Sequence, residues 1–310
     1  MDKLQSVLEY LPCPMCGADY YRVIYESRYP RDLSIKDLLE TYRSSSENQL
    51  MDRLVQCRSC SFIYLNPRVR SDIIMESYSN AVDPVFFEQN PSRISTFKRS
   101  LSVMMKRFQI TPDPSRAILD VGCAGGAFLK AATDLGFSGV GIEPSQWLCE
   151  EGRKQYGLDL RAGILSDFEF QKSSFYMITL WDVLEHLTQP GDVLETLHSL
   201  LRGDGYLVVN VPNYDSLARQ LLGRKWPFFL SVHLHYFTSK TMVKFLERHG
   251  FQTLSISPYF QTLELGYVLK RAIPYFGLFS LLDSAAHKLK IDHFPVRYNV
   301  GQSMFVAKKR

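Results

Sequence analysis

The chain lacks an apolar run long enough to span a membrane. Its most apolar region, residues 263–286, is interrupted by Lys270, Arg271, Pro274 and Asp283, and charges at that density are incompatible with a hydrocarbon core. The start, Met1-Asp-Lys-Leu-Gln-Ser6, has none of the apolar character of a secretory leader, so a cytoplasmic setting is expected. Strong charge is missing too: a net charge of +4 is too mild to announce a nucleic-acid binder, and no nucleic acid is expected as a partner. No internal repeat or low-complexity tract is visible. What remains is ordinary for a globular protein: 310 residues, 45% apolar and 22% charged, enough for one large domain with a small appendage.

Cysteine is scarce, and its placement is informative. Four of the six cysteines form two pairs, Cys13-Pro-Met-Cys16 and Cys57-Arg-Ser-Cys60, separated by forty residues. Two such knuckles can close a thiolate tetrahedron around Zn²⁺, so Cys13, Cys16, Cys57 and Cys60 are the expected metal ligands. Four sulfurs leave no open coordination position, which makes the ion structural. It can supply roughly 10 kcal/mol to a segment too small to hold a core. The alternative is buried or redox-active thiols. The long gap between the pairs is absorbed by a helical pattern over residues 33–43 and a polar Ser44-Ser-Ser-Glu-Asn48 loop.

After Asn66-Pro67, amphipathic patterns over residues 71–78 and 92–108 predict helices, punctuated by Pro84 and Pro91. The basic residues Lys98, Arg99, Lys106 and Arg107 read as a solvated face. Thr111-Pro-Asp-Pro114 is a linker. The expected organisation is therefore a zinc-ribbon-like domain over 1–70, a helical connector over 71–114 and a main domain over 115–310, with a helical insertion at about 260–298.

The main domain is organised around Ala117-Ile-Leu-Asp120-Val-Gly122-Cys123-Ala124-Gly125-Gly126. It reads as a buried strand ending in a glycine-rich turn that opens into a helix. Bare backbone and a helix N-terminus then lie at the carboxyl edge of a parallel sheet, where open α/β folds bind ligands. Strand and helix patterns alternate from there: strands at 118–121, 139–142, 158–162, 175–180 and 206–211, then at 252–256 and 302–307. Several are unbroken apolar runs, as in sheets covered by helices on both faces. Glu143 closes the second strand, twenty-three positions after Asp120. A doubly wound fold places there the carboxylate that accepts hydrogen bonds from ribose hydroxyls.

The Asp120–Gly126 turn, the Trp181-Asp182-Val-Leu-Glu185-His186 block after the fourth strand and the Val211-Pro-Asn213 after the fifth resemble class I S-adenosylmethionine-dependent methyltransferases over residues 115–260. The cysteine pairs followed by Leu65-Asn66-Pro67 resemble the N-terminal zinc ribbon of some bacterial members, including relatives that methylate sugars and glycans. The resemblance implies an α/β fold with a doubly wound, seven-stranded Rossmann-like sheet, and S-adenosyl-L-methionine as cofactor. Asp120, Gly122, Cys123, Ala124 and Gly126 would cradle its methionine part, and Glu143 would bind the ribose. Ile164, Leu165 and Asp167 would sit by the adenine, while Trp181 and Asp182 would flank the sulfonium. Ala124 stands where the pattern usually has a second glycine and is tolerable there if it keeps a negative φ. Tyr176 stands where an aspartate is common, a difference that bears on strand packing.

On the acceptor side, Asp215 is expected to cap a helix over 216–222. Residues 223–229 read as a charged, aromatic surface loop. His233 and His235, just ahead of a helix capped by Thr238, resemble the His-x-His-x-x-Tyr region of sugar-modifying methyltransferases. Either is a candidate base for a hydroxyl or an acidic carbon. Glu185 and His186 are read as capping and loop-anchoring residues rather than metal ligands. The expected acceptor is a small molecule such as an activated sugar, a glycan precursor or a lipid-linked compound. The rivals are an RNA methyltransferase gripping nucleic acid through the ribbon and a catalytically silent scaffold. The apolar, basic region 263–290 is open to three readings, a lid, an oligomer interface or a peripheral membrane contact, with core packing expected for most of its aromatics.

Overall fold

The computed structural model describes residues 5–30, 33–43, 48–79 and 82–310; Ser44–Glu47 of the polar loop lie outside the described residues. Seven strands form the main sheet in the order Phe251–Pro258, Gln302–Lys309, Leu201–Pro212, Phe175–Trp181, Ala117–Val121, Ser138–Glu143, Asp159–Ala162. The last five run parallel, and Gln302–Lys309 is antiparallel to both of its neighbours. This is the doubly wound seven-stranded α/β sheet expected from the sequence. The chain order reverses between Ala117–Val121 and Phe175–Trp181, and the crevice at such a reversal is where open sheets bind ligands.

The strands are apolar because both faces are covered: Ile118, Leu119, Met177, Ile178, Leu180, Leu207 and Val209 are all buried. Two details differ from expectation. The fifth strand, expected at 206–211, begins earlier, at Leu201, where it pairs with Phe175, and it shifts register before Tyr206. Pro84 and Pro91 do not merely separate helices but open them, Pro84–Glu88 and Asn90–Phe108, since proline's missing N–H costs nothing in a first turn.

A second sheet of four strands carries the cysteines. Its order is His235–Tyr236, Ile63–Leu65, Leu54–Cys57, Tyr21–Tyr25, so one edge strand comes from the far end of the chain. His235 pairs with Tyr64 and Tyr236 with Ile63. Phe62 stands between the two sheets, 5.2 Å from the Phe237 ring and 6.3 Å from that of Phe245. Arg248, on the helix Ser239–Arg248, donates to the Met15 carbonyl inside the first cysteine knuckle.

Residues 223–229 are a surface loop only in part: Arg224 and Lys225 are exposed, whereas Trp226 and Phe229 are buried. Trp226 is fully buried, and its Nε1 donates to the Val300 carbonyl at 2.7 Å. Nor does Asp215 cap the next helix; Ser216 does, accepting from Arg219 N. The aromatics of the insertion are not core either: Tyr267 and Tyr275 line a cavity, Phe276 is exposed and Phe279 is only half-buried.

Candidate active site

A cavity of about 750 Å³ opens at the crevice, bounded by the carboxyl ends of the first, second and fourth strands of the parallel sheet. That size lies within the usual range of ligand sites. Its floor is the glycine-rich turn. Gly122 has φ +69°, and a Cβ there would overlap Val183. Gly126, at φ +76°, is the N-cap of Ala127–Asp134 and has no side-chain cap bond, leaving first-turn amides available to a ligand. Ala124 departs from expectation: its φ is +48°. The turn demands the left-handed region at this position whether or not glycine fills it, at about 1 kcal/mol for an L-residue.

The Glu143 carboxylate spans the first two loops. Oε2 accepts from Ala124 N and Oε1 from Ser145 N, both at 3.0 Å. Those bonds use two of roughly four lone-pair positions, and the residue still faces the cavity. Burial raises its pKa above the ordinary carboxylate value against the pull of both amides. Asp120, also fully buried, is pushed up to about 8 by burial, with the Glu143 charge adding to the rise and the Thr179 hydroxyl, 2.5 Å away, opposing it. It lines a smaller recess together with Cys123 and Ala124.

Asp182 is held in a left-handed conformation, φ +55°. Its Oδ1 accepts from Asn210 Nδ2 at 2.7 Å and Gln302 Nε2 at 2.5 Å. Burial lifts its carboxyl to about 6, opposed by Gln302 and by the Arg93 guanidinium. Trp181 packs against Phe97, Phe128 and Tyr259 at ring separations of 4.9, 5.3 and 5.3 Å. Ile164 and Leu165, on the loop after the third strand, Asp159–Ala162, line the cavity. Asp167 is turned away, its Oδ2 accepting from Ile164 N at 2.8 Å, so it braces the loop instead of facing the space. Gly126 likewise stands behind the turn, against Leu158 and Leu160.

The two histidines separate. His233 lines the cavity, its Nδ1 2.8 Å from the Phe228 carbonyl. His235 lies in the core, with Nε2 2.9 Å from the Leu187 carbonyl and its ring against Phe62; desolvation lowers its pKa to about 3. Glu185 caps nothing: its backbone carbonyl accepts from Leu234 N and His235 N, while its carboxylate has no hydrogen-bond partner among the described residues. The sequence reading missed Arg93, Arg271, Tyr259 and Gln302, all lining this space. They sit on elements far from any motif, and no local pattern marks them.

In the small sheet, Cys13 Sγ lies 3.5 Å from Cys60 Sγ and Cys16 Sγ 3.6 Å from Cys57 Sγ. All four sulfurs lie within 4.8 Å of one another. A tetrahedron with ~2.3 Å Zn–S bonds has edges of about 3.8 Å, so the cluster fits the ion. All six cysteines are free thiols.

A seven-stranded sheet with this order, a glycine turn at its switch point and a buried carboxylate ending the next strand make a doubly wound α/β fold with its ligand crevice at the switch point. The family profile described as "methyltransferase domain" matches residues 89–256, more than half of the chain, and the protein belongs to that family. The mitochondrial ubiquinone biosynthesis O-methyltransferase of Schizosaccharomyces pombe is 29% identical over 126 residues, covering 38% of this chain and 44% of that protein. The tRNA U34 carboxymethyltransferase of Photorhabdus laumondii is 34% identical over 157 residues, 47% of this chain and 48% of that one. The chain thus spans about half the length of the curated relatives it matches. Among solved structures, a chain of the complex between the Haloferax volcanii Trm112 methyltransferase activator and a methyltransferase matches with TM-score 0.50 and 12% identity, over 71% of this chain and 92% of that one. That likeness concerns the fold alone.

Proposed function

We propose that this protein transfers the methyl group of S-adenosylmethionine to a hydroxyl oxygen of a small acceptor bound in the same cavity, an activated sugar or glycan precursor being one such acceptor. The observation that carries the reading is the continuity of that space. Glu143, Gly122 and Ala124 line the same cavity as Tyr267, Arg271, Tyr275 and His233.

In this reading Glu143 offers its remaining lone pairs to the ribose hydroxyls, and Ile164 and Leu165 enclose the adenine. Asp120 and Asp182 place negative charge near the cationic half of the donor, where a sulfonium is stabilised by it. Arg93, whose Nε is buried without a hydrogen-bond partner among the described residues, supplies a cation for the methionine carboxylate. The aromatic wall stacks on the acceptor ring, and Arg271 favours an acceptor that carries an anionic group. Holding nucleophile, methyl carbon and sulfur in line while excluding water can be worth roughly 7–11 kcal/mol. An acceptor site enclosed in this way supports a small molecule over a polynucleotide. The Cys13/Cys16/Cys57/Cys60 cluster holds a structural Zn²⁺ in the same proposal.

Calorimetry with S-adenosylmethionine tests the donor half: the wild type should bind in the micromolar range and Glu143→Gln at least about tenfold more weakly, the equivalent of one charge-assisted hydrogen bond. Mass spectrometry of candidate nucleotide-sugars and hydroxylated aromatic acids incubated with both components tests the acceptor half, through the gain of one methylene. A chain that binds no donor would sink the proposal.

A further inference from the structure

The cavity lining also carries a cluster that the methyl-donor site leaves unused. Glu185, His186 and His233 each present a ligand atom, and these atoms lie within 4.8 Å of one another. Glu185 is 1% exposed and His233 4%, yet all three residues border the cavity. Both carboxylate oxygens of Glu185 are buried with no hydrogen-bond partner among the described residues. A buried carboxylate in that condition is costly, and protonating it only exchanges a bare charge for an unmatched O–H.

The imidazoles are oriented as ligands are. His233 Nδ1 lies 2.8 Å from the Phe228 carbonyl, a contact only an N–H can make, so its Nε2 carries the lone pair. His186 Nδ1 lies 3.1 Å from the Val232 carbonyl, and its ring meets that of His233 edge-on at 4.7 Å. Backbone carbonyls that fix the tautomer through the other ring nitrogen are the usual support behind metal-bound histidines.

We infer that Glu185, His186 and His233 bind a divalent first-row cation, Zn²⁺ by the chemistry of the donor set, with coordination positions open toward the acceptor. Two imidazole nitrogens and one carboxylate match catalytic rather than structural zinc, because they leave room for an exogenous oxygen. The inference deepens the proposed function by naming the acceptor: a compound whose hydroxyl binds the ion as an oxyanion. Binding to the cation releases the hydroxyl proton to solvent. A lone pair of that oxygen then forms the bond to the methyl carbon while the carbon–sulfur bond breaks. Its electron pair stays on sulfur, turning the sulfonium into the neutral thioether. No separate general base is needed, which suits a site whose second histidine, His235, is buried in the core.

Metal content read on the full-length protein decides the matter. Wild type should hold one equivalent more than Glu185→Gln and His233→Gln, with the thiolate-bound ion unchanged in all three. Titration with Co²⁺ should give wild type a weak nitrogen- and oxygen-ligated spectrum in addition to the intense thiolate one, and each variant should bind added Zn²⁺ at this site at least about a hundredfold more weakly. His233→Gln serves where Glu185→Gln fails to fold, and the Co²⁺ spectrum of wild type needs no variant. Equal metal content in wild type and variants, or a wild-type spectrum of thiolate character alone, overturns the inference. Donor affinity separates the two ideas: an extra equivalent without S-adenosylmethionine binding leaves the cation site standing and removes the methyl-transfer reading, whereas donor binding without the extra equivalent does the reverse.

Discussion

At neutral pH the buried carboxyl of Asp120 costs the fold stability, a cost that the proposed donor site would put to use. Its folded value of about 8 exceeds the ordinary 3.8. The unfolded chain therefore loses this proton at lower pH than the native one, and the contribution falls as pH rises from about 4 to 8. Asp120→Asn removes the titration, so its stability relative to wild type should improve between pH 5 and pH 8, by on the order of 3 kcal/mol in urea unfolding. A constant difference across that range would contradict the assignment. The same substitution should weaken the donor and remove the rise in wild-type donor affinity expected as Asp120 ionises, measurable by calorimetry across the same range. Gly122→Ala combines a positive φ with an overlap against Val183; it should abolish detectable donor binding and cost about 1–3 kcal/mol of stability.

Among the elements, the helix Ser239–Arg248 ties the two sheets together. Its N-terminus is fixed by Thr238, whose hydroxyl accepts from Thr241 N at 3.1 Å. Thr238→Ala should lower stability by about 1 kcal/mol in denaturant titration while leaving donor affinity within twofold, since the cap does not border the cavity. The strand–helix alternation from Ala117 to Arg248 was legible because burial on both faces imposes apolar runs and caps mark the ends. The acceptor side was not. Trp226 looked like surface aromatic because arginine and lysine precede it, yet it is buried by a hydrogen bond to Val300, seventy-four positions away. His233 and His235 look equivalent in a local pattern, but strand alternation sends neighbours two apart to one face only while the strand lasts. Here the strand is His235–Tyr236 alone.

For the whole molecule, the four-cysteine cluster is coupled to the large sheet rather than appended to it. Cys13, Met15 and Cys57 share one buried cluster with Phe237, Met242 and Phe245, and the strand His235–Tyr236 completes the small sheet. Removal of the proposed Zn²⁺ by a strong chelator should therefore lower the midpoint of a single unfolding transition, with hydrogen exchange rising together at residues 63–65 and 235–236. Two separate transitions would show that the cluster folds on its own. Across the described residues no helix is long and apolar enough to cross a membrane, and the insertion leaves Leu278, Leu281 and Leu289 exposed.

By itself the sequence determined the sheet, the glycine turn, the carboxylate after the second strand and the cysteine tetrad. Each is written in local spacing, where periodicity and turn chemistry act within a few residues. Only the tertiary structure decided that Ala124 adopts a left-handed φ, that Asp167 braces its own loop, that His235 is core, and that Arg93, Arg271 and Gln302 meet Asp182 around one cavity. The meeting of Arg93, Arg271 and Gln302 with Asp182 depends on packing between segments roughly ninety or more residues apart, and local pattern carries no information about which side chains such packing brings together.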